Sequence, residues 1–195
     1  MTDSPHYPRR IRCCSMEFDL RLMTPDDAAA ALRFANALPA HDLLFLQRDI
    51  RNPKVVTAWL EQISRGVITS LVAVSGDEIH GCAAVVRDDL SWSPHVGELR
   101  VVVSESARGD GLGRLLVQDA FALALSLGIE KLIARMTPDQ SRAIAVFEEM
   151  GFTAEALLRD YVRDAEGVTH DLVILSLAVT RNSSQREAFG YDEAF

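Results

Sequence analysis

Apolar and polar residues alternate from Glu17 to Met23, with Phe18, Leu20 and Leu22 on one side and Glu17, Asp19 and Arg21 on the other, the period of a half-buried strand. Thr24-Pro25-Asp26-Asp27 then predicts a helix start, with Thr24 as N-cap, Pro25 at N1 and Asp27 at N3. This helix should run to about Leu38, ahead of Pro39, and a second should cover about Val55 to Ser64 before Gly66. Val67 to Val74 and Ile79 to Val86 predict a strand pair joined by Ser75-Gly76-Asp77-Glu78, and Val96 to Val103 a fourth strand. Leu112, Leu115, Leu116, Asp119 or Ala120, Leu123 and Leu127 return at helical spacing until Gly128. A fifth strand from Ile129 to Met136 and a helix from Pro138 to Met150, with Ile144, Phe147 and Met150 inward, come next. Phe152 to Tyr161 and Val168 to Val179 make a closing hairpin around Asp164-Ala165-Glu166-Gly167.

The junction between the fourth strand and its helix carries the clearest chemistry. Val101-Val102-Val103 leads through Ser104-Glu105-Ser106-Ala107 into Arg108-Gly109-Asp110-Gly111-Leu112-Gly113-Arg114. Glycines at 109, 111 and 113 let the backbone adopt positive φ and bring its N–H groups close to a ligand. The helix starting near Leu112 adds unpaired amides and a positive dipole end, and Arg108 and Arg114 bracket the turn with charge suited to phosphate oxygens. A dinucleotide-binding turn would place its first glycine directly after the strand and an acidic residue about 20 residues further on. Here Ala120 to Leu127 is an apolar helix face. A Walker-type loop would end in Gly-Lys-Ser or Gly-Lys-Thr, whereas this chain has Gly113-Arg114-Leu115. A phosphorylated cofactor of another kind is expected.

Arg108-Gly109-Asp110-Gly111-Leu112-Gly113 fits the Gln/Arg-x-x-Gly-x-Gly/Ala pattern of the GNAT N-acetyltransferase superfamily, and Ala143 to Met150 followed by Gly151-Phe152 resembles that family's second motif helix. The resemblance spans roughly Phe18 to Val179. It implies an α/β (α+β) fold with a mixed, mostly antiparallel seven-stranded sheet, about four helices, and strands 4 and 5 splayed. It implies acetyl-CoA as acyl donor, with its diphosphate on Arg108, Gly109, Asp110, Gly111, Leu112, Gly113 and Arg114. Its pantetheine would lie along Val101, Val102 and Val103, with Gln140, Ser141 and Phe147 as further contacts. The function implied is acetyl transfer to a primary amine by direct attack in a ternary complex; the alternative is a non-catalytic acyl-CoA sensor or regulatory domain of the same fold.

The resemblance also offers catalytic residues. Glu98, near the start of the fourth strand, is the base candidate, and an ion pair with Arg100 on the same strand face is its structural alternative. The tyrosine that relatives use to protonate the leaving thiolate falls at Phe147, which cannot donate a proton, so Tyr161 is the remaining acid candidate. The asparagine that opens this helix in relatives falls at Gln140 or Ser141. His170 and Asp171, adjacent on a strand, point to opposite faces and cannot form one dyad. His95, Trp92, His41, Asp42, Phe45 and Asp49 could line the acceptor side.

Composition narrows the classes. With 195 residues, 48% hydrophobic and 25% charged, the chain can build one substantial core but is short for two domains. Residues 1–15 are expected as a flexible N-terminal extension, 16–180 as the acetyltransferase domain and 181–195 as a polar tail. A net charge of −8 disfavours nucleic acid as partner and would attract cationic amines at long range. No apolar run approaches the roughly 20 residues of a membrane span, and the expected location is the cytoplasm. Cys13, Cys14 and Cys82 show no metal-ligand spacing, so no metal is expected, and Cys82 in an apolar strand reads as a buried thiol. The acceptor would be a small-molecule or peptide amine, and the apolar run Leu172 to Leu175 would allow a homodimer through the last strand.

Overall fold

The computed structural model describes residues 6–13 and 16–179; the expected C-terminal tail (181–195) lies outside the described residues, as does Cys14. Strands β1 (Arg9–Cys13), β2 (Met16–Leu22), β3 (Ile68–Ser75), β4 (Glu78–Val86), β5 (Val96–Val103), β6 (Lys131–Met136), β7 (Thr153–Arg163) and β8 (Thr169–Ala178) form one sheet in the order β1-β2-β3-β4-β5-β6-β8-β7. Helices α1 (Ala28–Asn36) and α2 (Pro53–Ser64) cover one face; α3 (Leu112–Ser126) and α4 (Ser141–Glu149) belong to the other. All neighbouring strands run antiparallel except β5 and β6.

The sheet has eight strands instead of seven because residues 9–13, expected within a flexible extension, pair with β2. Ile11 and Cys13 turn inward between exposed Arg10 and Arg12. Arg9 Nη2 donates to both oxygens of Asp119 at 2.8 and 2.6 Å, and the Tyr7 hydroxyl donates to the same carboxylate at 3.2 Å. Asp119 is buried within α3, so this polar contact fastens the first strand to the central helix. Burial raises the Asp119 carboxyl above its ordinary value while Arg9 works against the shift, and burial followed by the charge of Asp119 raises the Tyr7 phenol.

Alternation along β5 decides which residues face which layer. Leu99, Val101 and Val103 pack toward α3, whereas Val102 belongs to the core beneath α1 and α2. Glu98 and Arg100 share the face of Val102 by strand period. Helix α3 can approach β4 closely because position 81 is glycine: a Cβ there would stand 2.6 Å from Leu116 Cδ1. The run Leu172 to Leu175 lies in β8, between β6 and β7. Its apolar character follows from that interior place, and the strand has no free edge for a second copy.

The entry to α1 is fixed by charge. Arg21 donates to the two oxygens of Asp27 at 2.8 and 2.6 Å, and the Thr24 N–H donates to Asp27 Oδ2 at 2.8 Å. The Thr24-Pro25-Asp26-Asp27 start is therefore present, with Pro25–Asp27 as a 3-10 turn ahead of α1. The hydrogen bonds from Arg21, joined by those from Thr24, hold the Asp27 carboxyl below its ordinary value against the opposing effect of burial. A depressed carboxyl contributes stability that is complete above the ordinary carboxylate range and is lost as pH falls through the depressed value. Asp27→Asn should cost about 2 kcal/mol at neutral pH and flatten the acid limb of a denaturation series; an equally steep acid limb in the variant would contradict this role.

Candidate functional site

Parallel pairing of β5 with β6 stops at Leu99 opposite Ala134. Beyond it, β5 continues to pair with β4 through Val103, and β6 continues to pair with β8. The two strands thus part inside the sheet, leaving Arg100–Val103 with one edge that no strand fills. A half-buried edge of this kind leaves backbone groups in want of hydrogen-bond partners, which an extended ligand chain can supply.

The glycine turn stands at the open end of the gap. Gly109 and Gly111 have φ of 86° and 87°, the left-handed region that L side chains rarely occupy. The Leu115 N–H donates to the Gly111 carbonyl at 3.1 Å, so the amides of Leu112, Gly113 and Arg114 lie ahead of any intrahelical acceptor. Gly113 brings this turn against Val103, 3.5 Å from where its Cβ would stand. The two arginines do not stand ready as mobile charges. Arg108 donates to the Val103 carbonyl at 3.2 and 3.1 Å and to Asp42 at 2.6 Å, and Arg114 pairs with Glu149 at 2.9 Å. What the turn could offer an anion is chiefly backbone amides, while Arg108 braces the strand end.

Opposite the turn, the 3-10 segment Ala40–Leu43 reaches both sides of the gap. Asp42 binds Arg108 on the β5 side, while His41 Nε2 contacts Asp139 Oδ2 at 2.7 Å beyond β6. The His41 and His170 rings meet edge-on at 5.1 Å, and His170 Nε2 contacts Asp164 Oδ2 at 2.8 Å. Asp171 accepts the Asp160 N–H at 2.9 Å; as strand geometry requires, His170 and Asp171 serve different partners.

At the apex of the gap, Glu98 is 7% exposed. Arg100 Nη2 donates to its Oε2 at 2.9 Å, and Arg135 Nε lies 3.8 Å from Oε1. Glu98 pairs with Arg100 as the structural alternative expects, and the pair is buried. Its Oε1, Arg100 Nε and Arg135 Nε are buried without a hydrogen-bond partner. Arg100 also lines a cavity of about 160 Å³ beneath α1 and α2, with Phe34, Ile50, Val55 and Trp59 among its walls. A wider cavity of about 650 Å³ lies beyond Arg135 and includes Phe45, Asp49 and Tyr161.

The remaining expected contacts are dispersed. Gln140 stands just ahead of α4, where its Oε1 accepts the Thr137 N–H at 3.2 Å and makes no capping bond to the helix, and Ser141 begins that helix. Phe147 is buried and packs edge-on to Phe152 at 5.1 Å. Tyr161 is 58% exposed, and Trp92, fully exposed, lines neither cavity; the His95 carbonyl instead accepts the N–H groups of Glu130 and Lys131. Among the described residues, no group of three or more His, Cys, Asp or Glu could hold a metal ion.

The model of the Acetyltransferase (GNAT) family matches residues 39–152, a span that includes the parted strands, the glycine turn and α4. The chain belongs to the GNAT acetyltransferase family. "Putative phosphinothricin acetyltransferase YwnH" of Bacillus subtilis is 35% identical over 78 residues, 40% of this chain and 47% of that protein, so the match spans about half of the relative's length. A GNAT acetyltransferase from Streptococcus pneumoniae superposes with a TM-score of 0.69 at 22% identity, covering 83% of this chain and 99% of that one. Salmonella typhimurium yncA, solved with its cofactor acetyl-CoA, gives 0.69 at 22% identity over 83% and 94% of the two chains. No helix among the described residues is long and apolar enough to cross a membrane.

Arg135 and Asp139 are the site residues that sequence reasoning did not select. Arg135 becomes visible once β6 is registered beside β5, since it directly follows the last paired residue, Ala134. For the cradle, Gly111→Ala should weaken acetyl-CoA binding about tenfold while lowering stability by about 1 kcal/mol, the strain of a side chain in the left-handed region. Nothing in the protein crowds a Cβ there. Arg114→Ala should change affinity much less at physiological salt. Calorimetric titration of both variants checks this, and an unaltered affinity in Gly111→Ala would place the diphosphate elsewhere.

Proposed function

We propose that this GNAT enzyme transfers the acetyl group of acetyl-CoA to a primary amine by direct attack within a ternary complex, in the cytoplasm. The parting of β5 from β6, with the glycine turn and the start of α3 following directly on β5, is the observation that carries this reading. The residues fit the donor: amides from Gly109 to Arg114 would hold its diphosphate, the free edge of Val101–Val103 would pair with its pantetheine, and Gln140 and Ser141 would stand across the gap. The bound thioester supplies an activated carbonyl; the amine nitrogen bonds to that carbon, the C–S bond breaks, and coenzyme A leaves as thiolate.

Glu98 is the base in this proposal. An acceptor amine enters as ammonium and must lose a proton before it attacks. Oε1 of Glu98 is the oxygen without a hydrogen bond, while Oε2 is held by Arg100, so the carboxylate is oriented with one oxygen left to receive that proton directly or through water. Cys82 also lines the smaller cavity, yet burial first and the charge of Asp27 second push its thiol up to about 12. It stays protonated and is a poor acyl carrier, which supports direct attack. Phe147 offers no proton to the leaving thiolate; that proton comes from water or from Tyr161, which faces the wider cavity.

Free-thiol release from acetyl-CoA in the presence of an amine panel measures the reaction. Glu98→Gln should lower kcat by about 100-fold and leave acetyl-CoA affinity within about twofold of the parent. A kcat that survives the change, with the same pH profile, would remove Glu98 as base.

A further inference from the structure

The long-range attraction of an acidic chain for cationic amines does not describe the cavity beside Glu98. Its lining contains Arg48 and Arg100 and no carboxylate. The trio at the apex of the gap sets two guanidiniums against one carboxylate, Arg100 at 2.9 Å and Arg135 at 3.8 Å from Glu98, which leaves a positive charge uncompensated. Arg100 Nε and Arg135 Nε are buried without acceptors, although a buried guanidinium normally satisfies its donors. The rest of the cavity is mostly apolar, walled by Phe34, Ile50, Val55, Trp59 and Val102, with Gln47 and Gln62 as its uncharged polar members. Its volume of about 160 Å³ is close to that of an engineered apolar cavity that holds one benzene ring.

We infer that the acceptor is an amine that also bears a carboxylate and an apolar side chain: chemically, an apolar amino acid. The carboxylate rests on Arg100, with Arg48 at the rim; the ammonium faces Glu98; the side chain, one ring or one branched aliphatic group, fills the cavity. The cluster presents opposite charges side by side, and a zwitterionic head group matches both. A polyamine would set a second ammonium against Arg48 and Arg100, and a decarboxylated amine would leave Arg100 with Glu98 alone. This inference rests on the acetyl-transfer reading, whose site it shares.

The test compares phenylalanine and leucine with phenethylamine and isoamylamine, and with spermidine, in the thiol-release assay. Calorimetric binding of the same compounds to the full chain saturated with coenzyme A runs in parallel. Phenylalanine and leucine should exceed their decarboxylated counterparts about tenfold or more in kcat/KM and in affinity, the scale of a charged hydrogen bond. Arg100→Gln should abolish that preference. Should Arg100→Gln not fold, Ala58→Phe, which fills the cavity from half-buried α2, keeps the test open: it should move the side-chain preference toward alanine and preserve the need for a carboxylate. Equal or better use of phenethylamine or spermidine overturns the inference and leaves acetyl transfer standing. Selective binding of phenylalanine without thiol release overturns the transfer reading and with it the acceptor role, leaving an amino-acid-binding cavity. If none of the compounds binds or reacts, the inference is overturned.

Discussion

Everything at this site follows from the interruption of one parallel strand pair. β5 and β6 hydrogen-bond through Leu99 and Ala134 and then part, although each keeps its other neighbour. Backbone groups left inside a sheet must find partners, and side chains stand at both ends of the gap. Arg108 occupies the Val103 carbonyl at the outer end, and the ion cluster of Glu98, Arg100 and Arg135 occupies the apex. Between them lies an edge suited to an extended chain, with the amides of α3 beyond it.

The two faces of the sheet divide the labour around that gap. Toward α3, Leu99, Val101 and Val103 join the larger apolar core and hold β5 rigid. Toward α1 and α2, the same strand presents Glu98, Arg100 and Val102, and the smaller core leaves a cavity beside them. Alternation along eight residues of one strand thus puts packing on one side and chemistry on the other. The segment Ala40–Leu43 ties the arrangement together by gripping Arg108 through Asp42 and Asp139 through His41.

Much of this was legible in the sequence, and the failures have physical causes. Strand β5 and the hairpin β3–β4 follow from strong β-branched runs and a glycine turn, and α3 from apolar spacing bounded by Gly111 and Gly128. β1 is not legible because only Ile11 and Cys13 mark its buried face, and its anchor, Asp119, lies 110 residues from Arg9. The glycine turn was readable, but the commitments of Arg108 to Asp42 and of Arg114 to Glu149 are long-range pairings that no local pattern reports. Arg135 appears as an ordinary polar residue of a strand until the register of β5 and β6 places it on Glu98. Net charge is silent on selectivity for the same reason: it sums over 195 residues, whereas selectivity depends on the few side chains that line a cavity.

The central claim is that main-chain amides at the start of α3 take the diphosphate of acetyl-CoA. Amide-resolved NMR during titration with acetyl-CoA tests it most directly. The account predicts that the largest shifts, and the strongest protection from hydrogen exchange, fall on Gly109, Gly111, Leu112, Gly113 and Arg114, with a second set along Val101–Val103. Saturating acetyl-CoA that leaves these amides unmoved while perturbing another surface would contradict it.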